Sequence, residues 1–454
     1  MSNNNLYEPD QDSLSPNRNL CPISTRINNN GELEIAGCTL SKLANDFGTP
    51  LYILDEETIR LSCRAYKEAL RRFYPGESLP IYASKANSSL AISKIINSEK
   101  IGIDVVSEGE LLTALMAGIS GDKIFLHGNN KSFDELKMAF DNEVTIVIDN
   151  QNDIDLLGKI VTSGKSVRLM LRFTPGIECH THEYIRTGHI DSKFGFDLDK
   201  LETILLQLKE YSWADLIGLH AHIGSQIFEL NPHYDLTSVM TDALKLSIEL
   251  GHEVTEINLG GGLGVKYTDS DDPPSIQEWV RTISEGLVQA CNQRNLKLPR
   301  LICEPGRSLI AIPGVTLYTI GSTKEVPGIR KYISVDGGMS DNPRPITYQS
   351  LYSFSLAARP LASPLEKVTI AGKHCESGDV LLKDILIPEY KSGDVLVVFG
   401  TGAYNQSMSS NYNRIPKPAT VLVNEGSADL VQKRERPVDL LQYDLLPERF
   451  TVVT

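Results

Sequence analysis

The sequence has little positive charge and no long apolar run. Its 454 residues include 44 Lys and Arg against 58 Asp and Glu, which gives a formal net charge of −14. Nucleic-acid and anionic-membrane binding both need a basic face, so this balance argues against either function, although it allows a local basic pocket for an anionic ligand. No stretch reaches the roughly 18 consecutive apolar residues that a membrane-spanning helix requires.

Cysteine is scarce too, and its seven copies are not closely paired. They stand at positions 21, 38, 63, 179, 291, 303 and 375. An odd number of dispersed cysteines in a chain of this size is typical of reduced thiols in a cytoplasmic enzyme. The polar start of the chain lacks the basic and apolar regions of a secretory leader, and residues 1–35 are predicted to form a flexible arm.

Eight short apolar runs alternate with helical patterns between residues 59 and 310. Several runs are continuously apolar and β-branched, as in parallel strands that are buried on both faces. The runs are residues 79–84, 101–106, 123–127, 144–149, 167–173, 216–223, 255–260 and 300–304. Eight strand–helix units of this total length predict a closed (β/α)8 TIM barrel of the α/β class, with an open doubly wound sheet as the alternative.

After residue 310 the pattern changes to strands without long helices between them. Runs such as VTLYTIGS, KYISVDGG, KVTIAG and DVLVVFGT are separated by Gly, Pro and Asp turns. Residues 311–454 are therefore predicted to form a second, mostly antiparallel β domain, a β-barrel or sandwich. The run TPLYILD, within residues 36–58, is predicted to add an N-terminal strand to it.

Polar residues follow several predicted barrel strands, at the end where barrel enzymes place their active sites. Lys85 follows the first strand, where it either caps that strand or, partly desolvated, forms a Schiff base with an aldehyde. The motif GGGLG (260–264) follows the seventh strand and forms either a tight turn or a loop whose amides approach a phosphate. Gly306 and Arg307 follow the eighth strand, where a second phosphate-binding loop is expected.

A carboxylate and two histidines complete this set of strand-end residues. Glu304 either pairs with an arginine or keeps a pyridinium nitrogen protonated, which strengthens the ring as an electron sink. His220 and His222 alternate on the sixth strand, and His222 suits stacking on a flat cofactor. A zinc site needs more ligands, and the other candidate cluster, within residues 179–182, lies in a loop, so no metal is predicted. Taken in strand order, the set indicates pyridoxal 5'-phosphate (PLP).

Nine stretches then resemble one known family. They are YASKAN, HGNNKS, HEYIRTGHIDSKFGF, HAHIGSQI, GGGLGV, CEPGR, DNPRPITY, CESGDVL and GAYNQSMSSNYN. With them the chain resembles the diaminopimelate decarboxylases, the lysine-forming branch of the PLP decarboxylases with the alanine-racemase fold (fold type III). TGHIDSKFG, DNPRPITY and CESGD separate this branch from its ornithine and arginine relatives. The match extends over nearly the whole chain except the N-terminal arm.

The resemblance implies roles for the residues that match the motifs. Lys85 and Cys375 would be catalytic, Lys85 as the Schiff-base lysine and Cys375 as a proton donor supplied by the other subunit of a homodimer. The cofactor would be held by Lys85, His222, Gly262, Glu304, Pro305, Gly306, Arg307 and Tyr404. The substrate would be held by Arg307, Arg344, Tyr348, Glu376 and Tyr404, the first three at its retained carboxylate and Glu376 at its remote amino group.

The implied reaction is decarboxylation of meso-2,6-diaminopimelate to L-lysine, the last step of lysine biosynthesis. The alternatives are a related decarboxylase of ornithine, arginine or carboxynorspermidine, a fold-related racemase, and a non-catalytic PLP-binding barrel. The remote end of the substrate pocket separates the decarboxylases, and Arg186 in EYIRTG is a candidate contact there. One departure from the family pattern is Glu108, at the end of the second strand, where glycine is expected.

Overall fold

A computed structural model of the protein describes residues 15–177 and 192–450. The candidate cluster within residues 179–182 and the candidate contact Arg186 lie outside these residues. Among the residues described, no helix is long and apolar enough to cross a membrane.

A small antiparallel sheet lies near the start of the described residues, which corrects the prediction of a flexible arm for residues 15–35. Its strands and the elements that follow are β1 (Thr25–Ile27), β2 (Leu33–Ile35), β3 (Cys38–Thr39), α1 (Leu40–Phe47) and β4 (Leu51–Asp55). Leu33 and Ile35 are fully buried and pack with Val315 and Val397 of the later sheet domain. Strands of two or three residues are too short to show an alternating pattern, so apolar burial against a distant domain orders this segment.

Eight parallel strands among the described residues close into the predicted barrel. They are β5 (Ser78–Ala83), β6 (Gly102–Val105), β7 (Ile124–Leu126), β8 (Thr145–Ile148), β9 (Val167–Thr174), β11 (Ala214–His220), β12 (Glu256–Asn258) and β13 (Arg300–Cys303), with the two-residue β10 (Phe196–Asp197) beside β9. The last strand pairs with the first, Leu301 opposite Ser78. This closure confirms the barrel and excludes the open doubly wound sheet.

Helices precede, separate and follow the barrel strands along the chain. They are α2 (Glu56–Phe73), α3 (Leu90–Ser98), α4 (Glu108–Met116), α5 (Phe133–Asp141), α6 (Gln151–Ile160), α7 (Leu201–Lys209), α8 (Asn231–Glu249), α9 (Ile276–Gln293) and α10 (Arg307–Ile310). In α2 the Asp55 carboxylate caps the first turn by accepting from the Thr58 amide, and the last turn carries two arginines. Ile59 and Tyr66 lie on the buried face of α2 and pack in the hydrophobic core.

Side chains rather than solvent fill the barrel interior. One buried cluster there comprises Leu79, Ile81, Phe125, Val147, Met170 and Ile302. Such a packed interior leaves only the rim for chemistry, because polar groups at the strand ends can reach solvent and ligand there.

The C-terminal third of the chain is the predicted mostly antiparallel β domain. Its elements are β14 (Gly314–Val326), β15 (Arg330–Val335), α11 (Arg344–Tyr348), β16 (Phe354–Leu356), β17 (Glu366–Ala371), β18 (Val380–Ile387), β19 (Val395–Phe399), β20 (Ala419–Asn424) and β21 (Ser427–Gln432). The strand order is β18-β17-β15-β14-β4-β20-β21, with β19 joining β14 and β16. As predicted, β4 enters this sheet from the N-terminal side, between β14 and β20. The boundaries at residues 58 and 310 remain predictions.

Candidate active site

One cavity of about 1070 Å³ opens at the carboxyl ends of the barrel strands and reaches the sheet domain. Its walls include seven side chains singled out from the sequence: Lys85, His222, Glu304, Arg307, Arg344, Tyr348 and Tyr404. The first four follow barrel strands, and the other three come from the sheet domain. A pocket with several convergent polar groups in this position is where a barrel enzyme binds its ligand.

Lys85 lies in the short turn Ser84–Ala86 that follows β5 and extends its amine into the cavity. The turn is anchored because the Ser84 amide donates to Asp104 Oδ1 over 3.1 Å. Desolvation disfavours the charged amine, but the nearby Tyr404, Asp104 and Glu304 outweigh it and raise the pKa of Lys85. The free amine is therefore a stable ammonium ion that must lose its proton before it can react with an aldehyde.

Glu304 is buried just after β13, where one amide and two imidazole rings surround its carboxylate. The Asn258 amide donates to Oε1 over 2.7 Å, the Nε2 of His220 lies 3.3 Å from Oε2, and the Nε2 of His127 lies 3.0 Å from Oε1. Burial alone would favour the neutral acid, but His220 and His127 lower the pKa of Glu304 well below its usual range. Burial lowers the pKa of His220 to about 4. The site therefore holds an anionic carboxylate beside a neutral imidazole.

Asp104 is a second buried carboxyl group in the same wall, and its position was not singled out from the sequence. Burial and then the Glu304 carboxylate raise the pKa of Asp104 to about 7, against the lowering effects of His127 and Lys85. Asp104 can therefore hold or release a proton near neutral pH, within the electrostatic reach of Lys85.

His222 is fixed by the glycine-rich loop. Its Nδ1 accepts from the Gly261 amide over 3.2 Å, so the proton of the neutral ring is on Nε2. Burial and then the Lys85 charge hold the pKa of His222 well below its usual range. The ring is consequently a neutral, flat surface at the cavity wall.

The glycines of this loop are required by close packing. A Cβ on Gly261 would lie 2.2 Å from the Glu304 carbonyl oxygen. Gly262 has φ of +122°, and a Cβ there would lie 2.9 Å from His233. Glycine alone lets the loop backbone lie this close to the end of β13.

A second loop of small residues follows β13. The carbonyl of Pro305 accepts from the Ala83 amide over 3.1 Å. Gly306 precedes α10, and a Cβ on it would lie 2.9 Å from that of Ala83. The predicted site residues Gly262, Pro305 and Gly306 do not line the cavity themselves, but Pro305 and Gly306 lie between the lining residues Glu304 and Arg307.

Two arginines are buried together on the sheet-domain side of the cavity. Arg307 donates to Ser225 Oγ and to the Tyr267 hydroxyl, and Arg344 donates to the hydroxyls of Tyr267 and Tyr352. Neither arginine forms an ion pair with a carboxylate among the described residues. Two buried cations without a carboxylate partner favour the binding of an anion.

Tyr404 connects the sheet domain to the segment that carries Lys85. Its backbone amide donates to the Ala86 carbonyl over 2.8 Å, and Ser407 donates to the same oxygen over 3.1 Å. The Arg307 guanidinium lies 4.8 Å from the centre of the Tyr404 ring. Tyr404 has φ of +63°, an unusual conformation for a non-glycine residue, which these contacts hold in place.

Cys375 and Glu376 do not join the other predicted site residues. Both are exposed and neither lines the cavity. The loop itself is well fixed, since the Cys375 amide donates to Asn413 Oδ1 over 2.9 Å. The neighbouring His374 is buried, with its Nδ1 2.6 Å from Asp379 Oδ2. A fixed backbone therefore presents these two side chains to the outside of the chain.

Other cavity residues were not singled out from the sequence. Among them are Asp104, His127, Arg172 and Tyr267, and Tyr352 lies behind the wall, where its hydroxyl accepts from Arg344. His127 and Asp104 lie at or near the ends of predicted strands, and this position could have marked them as site residues. Tyr267 and Tyr352 lie in loops without a motif, and their role follows from contacts between distant segments.

Glu108, the departure from the family pattern, lies outside this cavity. It is the first residue of α4, is exposed, and donates its amide to Glu135. A carboxylate in the first turn of a helix is stabilised by the helix dipole. The position has an ordinary helical backbone, so glutamate fits there as well as glycine.

A metal-like grouping does occur at the cavity floor. Ligand atoms of His127, His220 and Glu304 lie within 4.8 Å of one another. The two histidines already face the Glu304 carboxylate, and that arrangement needs no ion. The absence of a metal remains a prediction.

Comparison with known proteins identifies the family. Residues 56–311 match the family model "Pyridoxal-dependent decarboxylase, pyridoxal binding domain", and residues 312–402 match "Pyridoxal-dependent decarboxylase, C-terminal sheet domain". The chain is 52% identical to a diaminopimelate decarboxylase of Synechocystis, over 96% of this chain and 95% of that one. The chain belongs to the diaminopimelate decarboxylase family.

Other relatives agree with this membership. A diaminopimelate decarboxylase of Bacillus subtilis is 45% identical over 93% of this chain and 97% of its own. The crystal structure of the M. jannaschii diaminopimelate decarboxylase in complex with L-lysine superposes with a TM-score of 0.89, at 32% identity, over 94% of this chain and 99% of that one. As a member of this family, the chain is a PLP-dependent decarboxylase whose α/β barrel and sheet domain are those of its relatives.

Proposed function

We propose that the protein removes carbon dioxide from meso-2,6-diaminopimelate and forms L-lysine, the last step of lysine biosynthesis. One observation carries the proposal. The same cavity holds a lysine, an ionised buried carboxylate and a pair of buried arginines without a carboxylate partner. A substrate that has an amino acid group at each end could use the lysine side for reaction and the arginine side for binding.

The described residues fit PLP. Gly306 lies between the lining residues Glu304 and Arg307, and Gly262 follows Gly261, whose amide donates to the lining residue His222. The backbone amides of these loops would donate to the phosphate. The Glu304 carboxylate is anionic and so can keep a pyridine nitrogen protonated. His222 offers a neutral flat ring for stacking, and Lys85 extends an amine into the same space. When bound there, PLP supplies the conjugated ring that accepts the electron pair left by carbon dioxide.

The chain's own residues orient the substrate and handle its protons. Arg307, Arg344 and Tyr348 would bind the retained carboxylate, and Tyr404 would close the cavity beside both ligands. Asp104, with a pKa of about 7, can exchange a proton close to the Lys85 amine. The carbon that loses carbon dioxide must then receive a proton from a general acid, for which the family pattern points to Cys375.

Cys375 would act in the site of a second subunit. Its thiol and the Glu376 carboxylate are exposed and do not line the cavity of their own chain. In a homodimer with two-fold symmetry, each subunit could contribute this loop to the other's cavity. Glu376 would then meet the remote amino group of the substrate.

A reducing compartment is the proposed location, namely the cytoplasm. The six described cysteines are all free thiols, and five of them are buried. Disulfides would be expected to form between suitably placed thiols in an oxidising compartment. Localisation of the tagged native protein by cell fractionation would test this.

The decisive experiment compares substrates. Purified protein loaded with PLP is assayed for carbon dioxide release from meso-diaminopimelate, ornithine, arginine and carboxynorspermidine under identical conditions. Release from meso-diaminopimelate with formation of L-lysine is the expected result. Release only from another substrate, or inversion of an amino acid without carbon dioxide, would contradict the proposal and favour a related decarboxylase or a racemase.

A further inference from the structure

Arg307 and Arg344 are tied to each other through one oxygen atom. The Nη1 atom of each donates to the Tyr267 hydroxyl, in both cases over 2.9 Å. Arg344 also donates to Tyr352 over 2.7 Å, while its Nε is buried without a hydrogen-bond partner among the described residues. The two guanidinium groups therefore have a shared acceptor and keep donor capacity for a ligand.

Tyr267 is itself rigidly held. Its amide donates to Asp271, and its carbonyl accepts from both the amide and the hydroxyl of Ser353. Its ring packs edge-to-face on Tyr352, with centroids 5.3 Å apart. Contacts from both domains therefore fix this oxygen relative to the two arginines.

The charges around Tyr267 also favour an anion that binds between the two arginines. Burial disfavours a phenolate, yet Arg307 and Arg344 together lower the pKa of Tyr267 below its usual value. Its hydroxyl accepts from both cations, and its own hydrogen has no acceptor among the described residues. At a pH below that pKa the hydroxyl keeps this hydrogen and can donate it to an anion bound between the arginines.

We propose that Tyr267 is a positioning residue that sets the spacing of Arg307 and Arg344 for a single carboxylate, and so selects substrates with a carboxylate at the end remote from Lys85. This inference rests on the proposed function. It concerns binding of the retained carboxylate, not bond cleavage, so its signature lies in KM and in ligand discrimination.

Tyr267→Phe keeps the ring and removes only the shared oxygen. We expect the KM for meso-diaminopimelate to rise about 10- to 100-fold, the effect of losing hydrogen bonds to charged groups, with kcat changed less than about three-fold. Tyr352→Phe removes a bond to Arg344 alone and should raise KM less. Tyr211→Phe is the matched control and should leave KM unchanged, because Tyr211 precedes β11 at the end of the strand away from the cavity and does not line it.

A pair of ligands separates positioning from general damage to the site. L-lysine retains the remote carboxylate, whereas 1,5-diaminopentane has the same chain without it. Their dissociation constants are measured with PLP-loaded protein through the visible absorbance of the cofactor. We expect Tyr267→Phe to weaken L-lysine about as much as it raises KM, and to leave 1,5-diaminopentane and PLP affinity within about three-fold.

A double-mutant cycle tests whether Tyr267 acts through Arg344. The losses caused by Tyr267→Phe and Arg344→Lys should be less than additive if one works through the other. Additive losses, equal weakening of both ligands, loss of PLP, or an unchanged KM would overturn the inference. If the unaltered protein releases no carbon dioxide from meso-diaminopimelate, the proposed function itself fails, whatever Tyr267→Phe does.

Discussion

The Lys85 cavity and the Cys375 loop belong to one chain but differ in what surrounds their reactive groups. Around Lys85, buried partners from several strands hold Glu304, His222 and the arginines in fixed positions. Around Cys375 the backbone is fixed equally well, yet the thiol faces outward. An exposed thiol on a fixed backbone is consistent with the proposal that Cys375 acts in the cavity of a second subunit.

The largest expected effect tests this contrast with two inactive variants. Lys85→Ala should abolish activity and the visible absorbance of lysine-bound cofactor, and Cys375→Ala should lower kcat by about 10²- to 10⁴-fold, the usual contribution of a general acid. Mixed one to one, they should regain about a quarter of the wild-type activity, because half of the random dimers contain one site with both groups intact. Cys38→Ala is the control for thiol loss away from the site.

A verified heterodimer that shows no recovery would count against a shared site. Activity of unaltered monomers, isolated by size-exclusion chromatography, would also contradict it, because Cys375 would then have to reach the Lys85 cavity of its own chain.

A second prediction concerns the support beneath the Cys375 loop. Asp341 is buried, accepts from the Gly338 amide, and lies close to Asp379. Burial raises its pKa to about 7, so the folded protein keeps a proton that the unfolded chain loses near pH 4. Stability should therefore fall as pH rises between about 4 and 7, by at most about 4 kcal/mol from this group. Asp341→Asn should reduce the difference in Tm between pH 5 and pH 8.

Thermal unfolding of both proteins at the two pH values measures this difference. An unchanged Tm difference in Asp341→Asn would assign the pH dependence to other groups. The Cys375 loop would then lose this proposed source of pH sensitivity.

The smallest effect is expected at the start of the chain, behind the cavity. The Asn17 side chain donates to the carbonyls of Gly264 and Pro274. These two residues lie on either side of the loop that contains Tyr267. Asn17→Ala should lower stability by about 1–3 kcal/mol, since it leaves two acceptors unpaired, and should weaken PLP binding. The exposed Asn30→Ala is the matched control. Equal Tm and PLP affinity in both variants would show that this anchor has no effect on the cavity.

The parts of the molecule that repeat a local pattern were predictable from sequence. Each barrel strand is a short apolar run next to a helical one, and polar residues such as Lys85 and Glu304 mark where the strands end. Burial on both faces and the fixed polarity of the barrel connect these patterns to positions at one rim.

Features that depend on distant contacts were not predictable. Leu33 and Ile35 belong to strands of three residues, and their order comes from packing on residues nearly 300 positions later. Tyr267 lies outside the recognised motifs. Its hydroxyl accepts from both Arg307 and Arg344 because the packing of the sheet domain on the barrel brings these distant segments together. Single-sequence patterns report local preference and not such pairings.

The Ala86 carbonyl, next to Lys85, receives two hydrogen bonds from the sheet domain, from Tyr404 and Ser407. The turn that carries Lys85 is therefore held by residues that lie more than 300 positions later in the chain. During synthesis the barrel leaves the ribosome with an incomplete cavity wall, and the wall is completed only once the C-terminal sheet domain has emerged. A gene fragment that encodes only the barrel would produce Lys85 without the sheet-domain residues that complete the cavity wall.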